Sequence, residues 1–453
     1  MAETSNPPAT ARTAARTPAI VIVGGGAGGL QLATRLAHSV GRRGRAEIVL
    51  VDRSPTHFWK PLLHEAASGH RDPASHTIEY AAQARQYGFR FVQGELRRID
   101  RVRRIVTIGA VQDADGAPIL PERELRYDDL VLAVGSVTNF FNVPGASAHA
   151  LPLENIEQAE DFRRKVLGAC TKRNHLAEQQ PTSPTPPVCI NVIGAGATGV
   201  ELAASLRHAI DQLIKYRFKA LRADRDVRIR LIEGAPRILP ALQERFSQRA
   251  DRQLRGLNID VLTGVRVAEV TAEAVITGDR DRLESDITIW AAGVAGPAIL
   301  RQIGDLPLNA ANQILVTDTL QLPDDPHVFA FGDCAACAVE GTRGFLPPRA
   351  QVAHQQALYL ERAFARRLAG RSVDGFTFHD AGTVVSLGRA GAIYQTQWGV
   401  RPRSLVIDGL AAVGLYELLY RKHLLGLHGA TSTLLQSLAH WLQSRNRPSI
   451  KLH

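Results

Sequence analysis

Two glycine fingerprints, Gly24-x-Gly26-x-x-Gly29 and Gly194-x-Gly196-x-x-Gly199, constrain this chain more than any other feature. Each follows an apolar run with strand character, Ala19 to Val23 and Val188 to Ile193, and each opens a helical stretch. In that setting the first glycine allows the tight strand-to-helix turn, the second lets backbone N–H groups approach a pyrophosphate, and the third lets helix and strand pack closely. The positive helix end then faces the anion. One fingerprint is a short and common pattern; two with the same flanks imply two dinucleotides bound by duplicated units.

An acid closes the next strand in both units. Asp52 follows Glu47 to Val51, and Glu233 follows Arg228 to Ile232, each placed to accept hydrogen bonds from an adenosine ribose. A carboxylate at Glu233 repels a 2′-phosphate and so favours NADH over NADPH, while the nearby Arg237 could soften that preference. Glu233 also stands farther from its glycines than the usual ~20 residues, which predicts a longer helix between them.

The duplicated pattern organises the rest of the chain. A helix is expected from about Ile78 to Tyr87, strands at Phe89 to Val92 and Val102 to Ile108, and a turn at Asp113 to Gly116. Tyr127 to Gly135 reads as a buried strand with an acidic start and a glycine end, and Asp286 to Gly293 mirrors it. Val328 to Asp333 supplies a further apolar strand ending in an acid, and the polar, proline-rich residues 178–187 read as a surface loop. The expected fold class is α/β, with two Rossmann-like dinucleotide-binding domains and a C-terminal amphipathic helical region. Residues 1–18 are expected to form a disordered tail, with a transit peptide as the alternative, 19–149 and 311–380 the first domain, 150–310 the second domain inserted into it, and 381–453 the C-terminal region.

Composition narrows the function classes. At 453 residues, 45% of them hydrophobic, the chain can bury two or three cores without disulfides. Cys170, Cys189, Cys334 and Cys337 follow no metal-pair or secreted-framework spacing, so no metal is expected and the setting reads as reducing and intracellular. The net charge of +10 by itself suits nucleic acid, anionic lipid or anionic cofactors equally; of these, no nucleic-acid partner is expected. No apolar run reaches about eighteen residues, so neither a membrane-spanning helix nor proton transport across a bilayer is expected. From Leu415 onward, leucines at helical spacing, among them Leu418, Leu425, Leu434 and Leu438, alternate with Arg421, Lys422, Arg445 and Arg447. This pattern predicts two amphipathic helices on a membrane surface; a homodimer interface or a core-packed terminal helix would use the same leucines.

With these motifs the chain resembles the flavoproteins that bind FAD in a first domain and NAD(P)H in a second. Among them it is most similar to the type II NADH dehydrogenases, the single-subunit NADH:quinone oxidoreductases. The similarity rests on His57-Phe58-Trp59-Lys60-Pro61-Leu62-Leu63, Ala133-Val134-Gly135-Ser136 with Asn139-Phe140, Gly199-Val200-Glu201, Gly332-Asp333-Cys334 and Ala350-Gln351-Val352-Ala353-His354-Gln355. The resemblance implies that Gly24, Gly26 and Gly29 hold the FAD pyrophosphate, that Asp52 holds its ribose, and that Ala133, Gly135 and Gln351 line the same cofactor. Asp333 would bond the ribityl or phosphate region at a helix N-terminus, or be a plain N-cap. Lys60 would meet flavin or a neighbouring carboxylate. Gly194, Gly196, Gly199, Glu233 and Gly293 would bind NADH. Glu201 would act near the nicotinamide or isoalloxazine ring, or be a first-turn acid. Gln351 and Gln355, four apart on a helix, would turn two amides towards a quinone.

The implied activity is non-proton-pumping: hydride from NADH to FAD, then two electrons to a membrane quinone. It belongs to a peripheral protein on the cytoplasmic face of the inner (plasma) membrane. Residues 52–70 hold no cysteine, which argues against a disulfide reductase. Cys334 and Cys337 are expected to serve packing. The alternatives are an NAD(P)H-dependent reductase of a protein carrier of the rubredoxin or ferredoxin type, and a redox-sensing flavoprotein.

Overall fold

The computed structural model describes residues 16–180, 186–339, 341, 344–387, 391–396, 403–407, 414, 418 and 420–427. β1 (Ala19–Val23) is buried at every position and turns into α1 (Ala27–Leu36), and β2 (Glu47–Asp52) pairs with it in parallel, Ile22 beside Leu50. α2 (Leu63–Ala67), α3 (Tyr80–Tyr87), β3 (Arg90–Gln93) and β4 (Asp129–Leu132) complete the first pass. α4 (Ile156–Gln179) leads to the second unit: β5 (Val188–Ile193), α5 (Ala197–Tyr216), β6 (Val227–Glu233), β7 (Ile259–Thr263) and β8 (Ile287–Trp290). The chain then returns with β9 (Asp325–Ala330) and α6 (Ala350–Arg367), followed by an antiparallel sheet of β10 (Thr383–Ser386), β11 (Ala392–Thr396) and β12 (Arg403–Ile407).

The two main sheets share the strand order of a four-stranded parallel core, β4-β1-β2-β3 in one and β8-β5-β6-β7 in the other. The first runs β9-β4-β1-β2-β3 in parallel with Gln321–Leu322 at its antiparallel edge, and the second runs β8-β5-β6-β7 in parallel with Ala150–Leu151 at its edge. A three-stranded antiparallel sheet accompanies each, Leu96–Asp100 to Arg126 in one and Val267–Val270 to Glu284 in the other. Strand alternation divides the first core: Ile20 and Ile22 pack with Leu30 and Leu360, whereas Val21 and Val23 pack with Val106 and Leu300. The units are joined where Val137–Thr138 pairs antiparallel with Val294–Ala295.

The turns that the fingerprints encode leave no space for side chains at two points. Gly24 has φ +104°, and a Cβ at Gly29 would overlap the Gly24 carbonyl oxygen; Gly199 stands in the same relation to Gly194. That contact sets how closely each helix lies on its strand.

Several boundaries differ from the expected ones. Ile78–Glu79 is a strand paired with Thr56–His57, so the helix begins only at Tyr80. The strand expected from Val102 begins at Ile105, because Asp100 accepts from the Arg103 N–H and Arg104 takes φ +53° in a turn. α4 runs to Gln179, so Glu178 and Gln179 are helical, and residues 181–185 lie outside the described residues. Leu300, Ile303 and Leu306, assigned above to the second domain, are buried in the core of the first sheet. The segment 420–427 is helical and packs on the first unit through Tyr420, Leu424 and Leu427, while Leu418 and Leu425 are exposed. Residues 428–453, with the expected second amphipathic helix, lie outside the described residues.

Gly29→Ala is expected to lower unfolding stability by about 3 kcal/mol, because backbone has to move to admit the methyl group. Denaturant unfolding measures this, and an unchanged midpoint contradicts the packing argument.

Candidate functional site

Both fingerprint turns end in helices whose first N–H groups have no side-chain cap. Gly26 caps α1 and Gly196 caps α5, and neither first turn holds an acid. A Cβ at Gly26 or at Gly196 would meet nothing within 4 Å. The protein's own packing therefore does not require glycine there; the missing side chain leaves open space at a positive helix end, the cradle a pyrophosphate needs. Gly194 and Gly199 close the second turn as Gly24 and Gly29 close the first, with Gly24 against the Ala133 carbonyl and Gly194 against Ala292.

The two ribose acids are clamped alike. Asp52 accepts from the Gly25 N–H at 2.6 Å and the Ser54 N–H at 2.8 Å; Glu233 accepts from Ala195 at 2.7 Å and Ala235 at 2.9 Å. A carboxylate has about four lone-pair sites, so two remain for ribose hydroxyls. Burial pushes the Asp52 carboxyl above its ordinary pKa, opposed by those N–H groups and by the charges of Arg53 and Lys60. Arg237 donates to the carbonyls of Leu239 at 3.2 Å and Pro240 at 2.7 Å, which commits it to backbone.

Lys60 is linked to the other acid of the first unit through Ser136. Its Nζ donates to the Ser136 carbonyl at 3.2 Å, and the Ser136 hydroxyl donates to Asp333 Oδ2 at 2.9 Å. Burial raises the Asp333 pKa, against the Ser136 bond and the Lys60 charge. Asp333 does not open a long helix as expected: it lies in the three-residue 3₁₀ turn Gly332–Cys334, whose first N–H donates to buried Gln356 at 2.8 Å. Gly135, at φ +71°, adjoins this group and faces open space.

Glu201 lies beyond the first turn of α5 and is buried, which removes the first-turn reading. Its Oε1 accepts from the Ser386 N–H of β10 at 2.9 Å, and its Oε2 stands 3.6 Å from His64 Nδ1 on α2. Burial lowers the His64 pKa. A carboxylate and an imidazole thus share an interior position where both units and the β10 sheet meet. Gly293, at φ +148°, lies under the exposed Phe141 ring and accepts from the Asn139 N–H at 3.0 Å.

Gln351 and Gln355 share one face of α6, but both amides are engaged. Gln355 donates to the His379 carbonyl at 2.7 Å and accepts from the His379 N–H at 3.0 Å; Gln351 donates to the same carbonyl at 3.2 Å. The pair holds the segment around 379–380 rather than projecting into open space. All four cysteines are buried free thiols. Burial pushes the Cys334 thiol up to about 12, so it is not a thiolate at neutral pH. His57, His64, Tyr80, Ser136 and Gln356 were not singled out as site residues in the sequence. Each acts through a partner far away in sequence, which no local spacing reveals.

The family model of the pyridine nucleotide-disulphide oxidoreductases matches residues 18–357. The chain is 35% identical over 445 residues to the type II NADH:quinone oxidoreductase of Haemophilus influenzae, covering 96% of this chain and 99% of that protein. It is 26% identical to the type II NADH:quinone oxidoreductase of Mycobacterium tuberculosis, covering 94% of this chain and 88% of that one. In fold it is similar to the NDH2 of Plasmodium falciparum, solved in complex with NADH, with a TM-score of 0.78 at 20% identity over 96% of this chain and 100% of that one. Two dinucleotide cradles, a junction without a reactive thiol and relatedness along nearly the whole length agree: the chain belongs to the type II NADH:quinone oxidoreductases, within the pyridine nucleotide-disulphide oxidoreductase family.

Proposed function

We propose that this chain oxidises NADH and reduces a membrane quinone, using FAD held in the first unit and NADH in the second, with Leu300, Ile303 and Leu306 belonging to the first. The observation that carries the reading is the pair of open cradles at Gly26 and Gly196, each beside a clamped ribose acid. The names of the Haemophilus and Mycobacterium relatives support quinone as the acceptor.

When bound, FAD supplies two-electron chemistry between the hydride donor and the quinone. Gly24, Gly26 and Gly29 admit its pyrophosphate to the α1 N-terminus, Asp52 takes its ribose hydroxyls, and Lys60 with Asp333 and Ser136 holds its middle. Ala133 and Gly135 line its path. Gly194, Gly196, Gly199 and Gly293 admit NADH, and Glu233 excludes a 2′-phosphate. Glu201, beside His64 at the junction, would act near the nicotinamide or isoalloxazine ring, positioning groups or tuning proton traffic. Gln351 and Gln355 border the quinone site by holding residues 379–380.

The protein is a peripheral one on the cytoplasmic face of the inner (plasma) membrane. Exposed Leu418 and Leu425 beside Lys422 support attachment through the C-terminal region, and among the described residues no helix is long and apolar enough to cross a membrane. A homodimer through the same leucines is the competing arrangement, and vesicle binding by the monomer would displace it.

Anaerobic NADH is expected to bleach the flavin absorbance of the purified protein, and a short-chain quinone to restore it; a reduced protein that ignores quinone refutes the reading. Glu233→Ala is expected to raise the NADPH to NADH ratio of kcat/KM by about tenfold. Steady-state kinetics with both nucleotides measure this, and a fixed ratio contradicts the role of Glu233. Gln355→Ala is expected to leave NADH reduction of the flavin intact while quinone turnover falls about tenfold. Stopped-flow separates the two half-reactions, and equal loss of both removes Gln355 from the quinone side.

A further inference from the structure

The two cradles differ in how one peptide unit is held. In both, the residue after the first glycine donates its N–H to the ribose acid, Gly25 to Asp52 and Ala195 to Glu233. In both, that residue's carbonyl is also fixed. The Ala195 carbonyl accepts from the Leu239 N–H at 2.8 Å, a backbone bond inside the second unit. The Gly25 carbonyl is held by side chains, the Tyr80 hydroxyl at 2.7 Å and His57 Nδ1 at 3.1 Å.

A carbonyl can only accept, so His57 Nδ1 carries the hydrogen between them. The peptide unit is planar and trans, so the Gly25 C=O and the Gly26 N–H point to opposite sides. Fixing the carbonyl therefore aims the Gly26 N–H at the other side of the turn. His57 is itself held from behind. Its Nε2 lies 3.1 Å from His423 Nε2, in the helical segment 420–427, and the two nitrogens share one hydrogen. His423 is fixed by stacking on Trp59, with ring centroids 5.4 Å apart and planes at 13°. Tyr420 also packs on Trp59, with the Arg71 guanidinium 5.4 Å over its ring, and Gln83 donates to the Leu427 carbonyl at 3.3 Å.

We propose that the helical segment 420–427 is part of the FAD-binding apparatus: His423 is a positioning residue that, through His57 and the Gly25 carbonyl, aims the Gly26 N–H at the FAD pyrophosphate. The proposal rests on FAD occupying the first cradle. Retention of FAD then depends on a segment more than 350 residues away from the turn it supports, His423 against Gly25. The NADH cradle, held by its own backbone, has no such dependence.

The test follows FAD leaving the holoenzyme by flavin fluorescence, with no electron acceptor present. His423→Phe keeps a ring for Trp59 and removes the nitrogen, whereas His423→Gln restores an amide nitrogen at similar reach. FAD release is expected to be about fivefold faster in His423→Phe. It returns towards the wild-type rate in His423→Gln, with NADH affinity unchanged in both. Release at the wild-type rate from His423→Phe, or equal acceleration in both variants, overturns the relay. Tyr80→Phe removes only the second donor to Gly25 and is expected to release FAD faster too; an unchanged rate there overturns the role of that carbonyl. A wild-type chain that binds no FAD refutes the relay and the proposed function together, whereas one that binds FAD but ignores quinone refutes the function alone.

Discussion

The contact between the third and first glycine of each fingerprint governs this molecule. Where Gly29 lies on the Gly24 carbonyl, α1 comes close enough for its N-terminus to face the end of β1, and Gly199 does the same for α5 on β5. Helix position then fixes the cradle, and the cradle fixes how far Asp52 and Glu233 stand from it. A methyl group at either contact would displace backbone rather than a flexible side chain, so no neighbouring adjustment could absorb it.

Around these turns the charges are distributed so that anions are received at few points. Asp52 and Asp333 are both half-buried carboxylates, and the Lys60 charge acts on both. Interior acids next to a pyrophosphate would repel it if they stood alone. The α1 N-terminus, the N–H groups clamping Asp52 and the Lys60 ammonium together offset that repulsion. In the second unit Arg237 donates to the backbone carbonyls of Leu239 and Pro240 rather than to Glu233.

The doubled strand–turn–helix architecture was legible because it is written locally. The glycines, the apolar strands before them and the acids after them follow fixed spacings, and the mirrored runs ending at Gly135 and Gly293 marked the return strands. Boundaries failed where a single side chain decided them, as at Asp100, whose carboxylate ends a strand and starts a turn. The amide pair on α6 was read correctly as sharing a face, but its partner at His379 comes from another segment and was invisible. His64 beside Glu201, and His57 beside His423, are pairs made only by folding.

The interrupted order of the chain sets a sequence of assembly. All five strands of the second sheet, from Ala150–Leu151 to Ile287–Trp290, lie in one continuous stretch, so they can pair as soon as that stretch has been synthesised. The first sheet begins earlier but lacks its strand at Asp325–Ala330, and α1 lacks α6 to pack against, until the chain reaches Arg367. The nascent first unit therefore waits, with β1 and α1 partly uncovered, while the inserted one closes. Its completion is a long-range event and correspondingly slow.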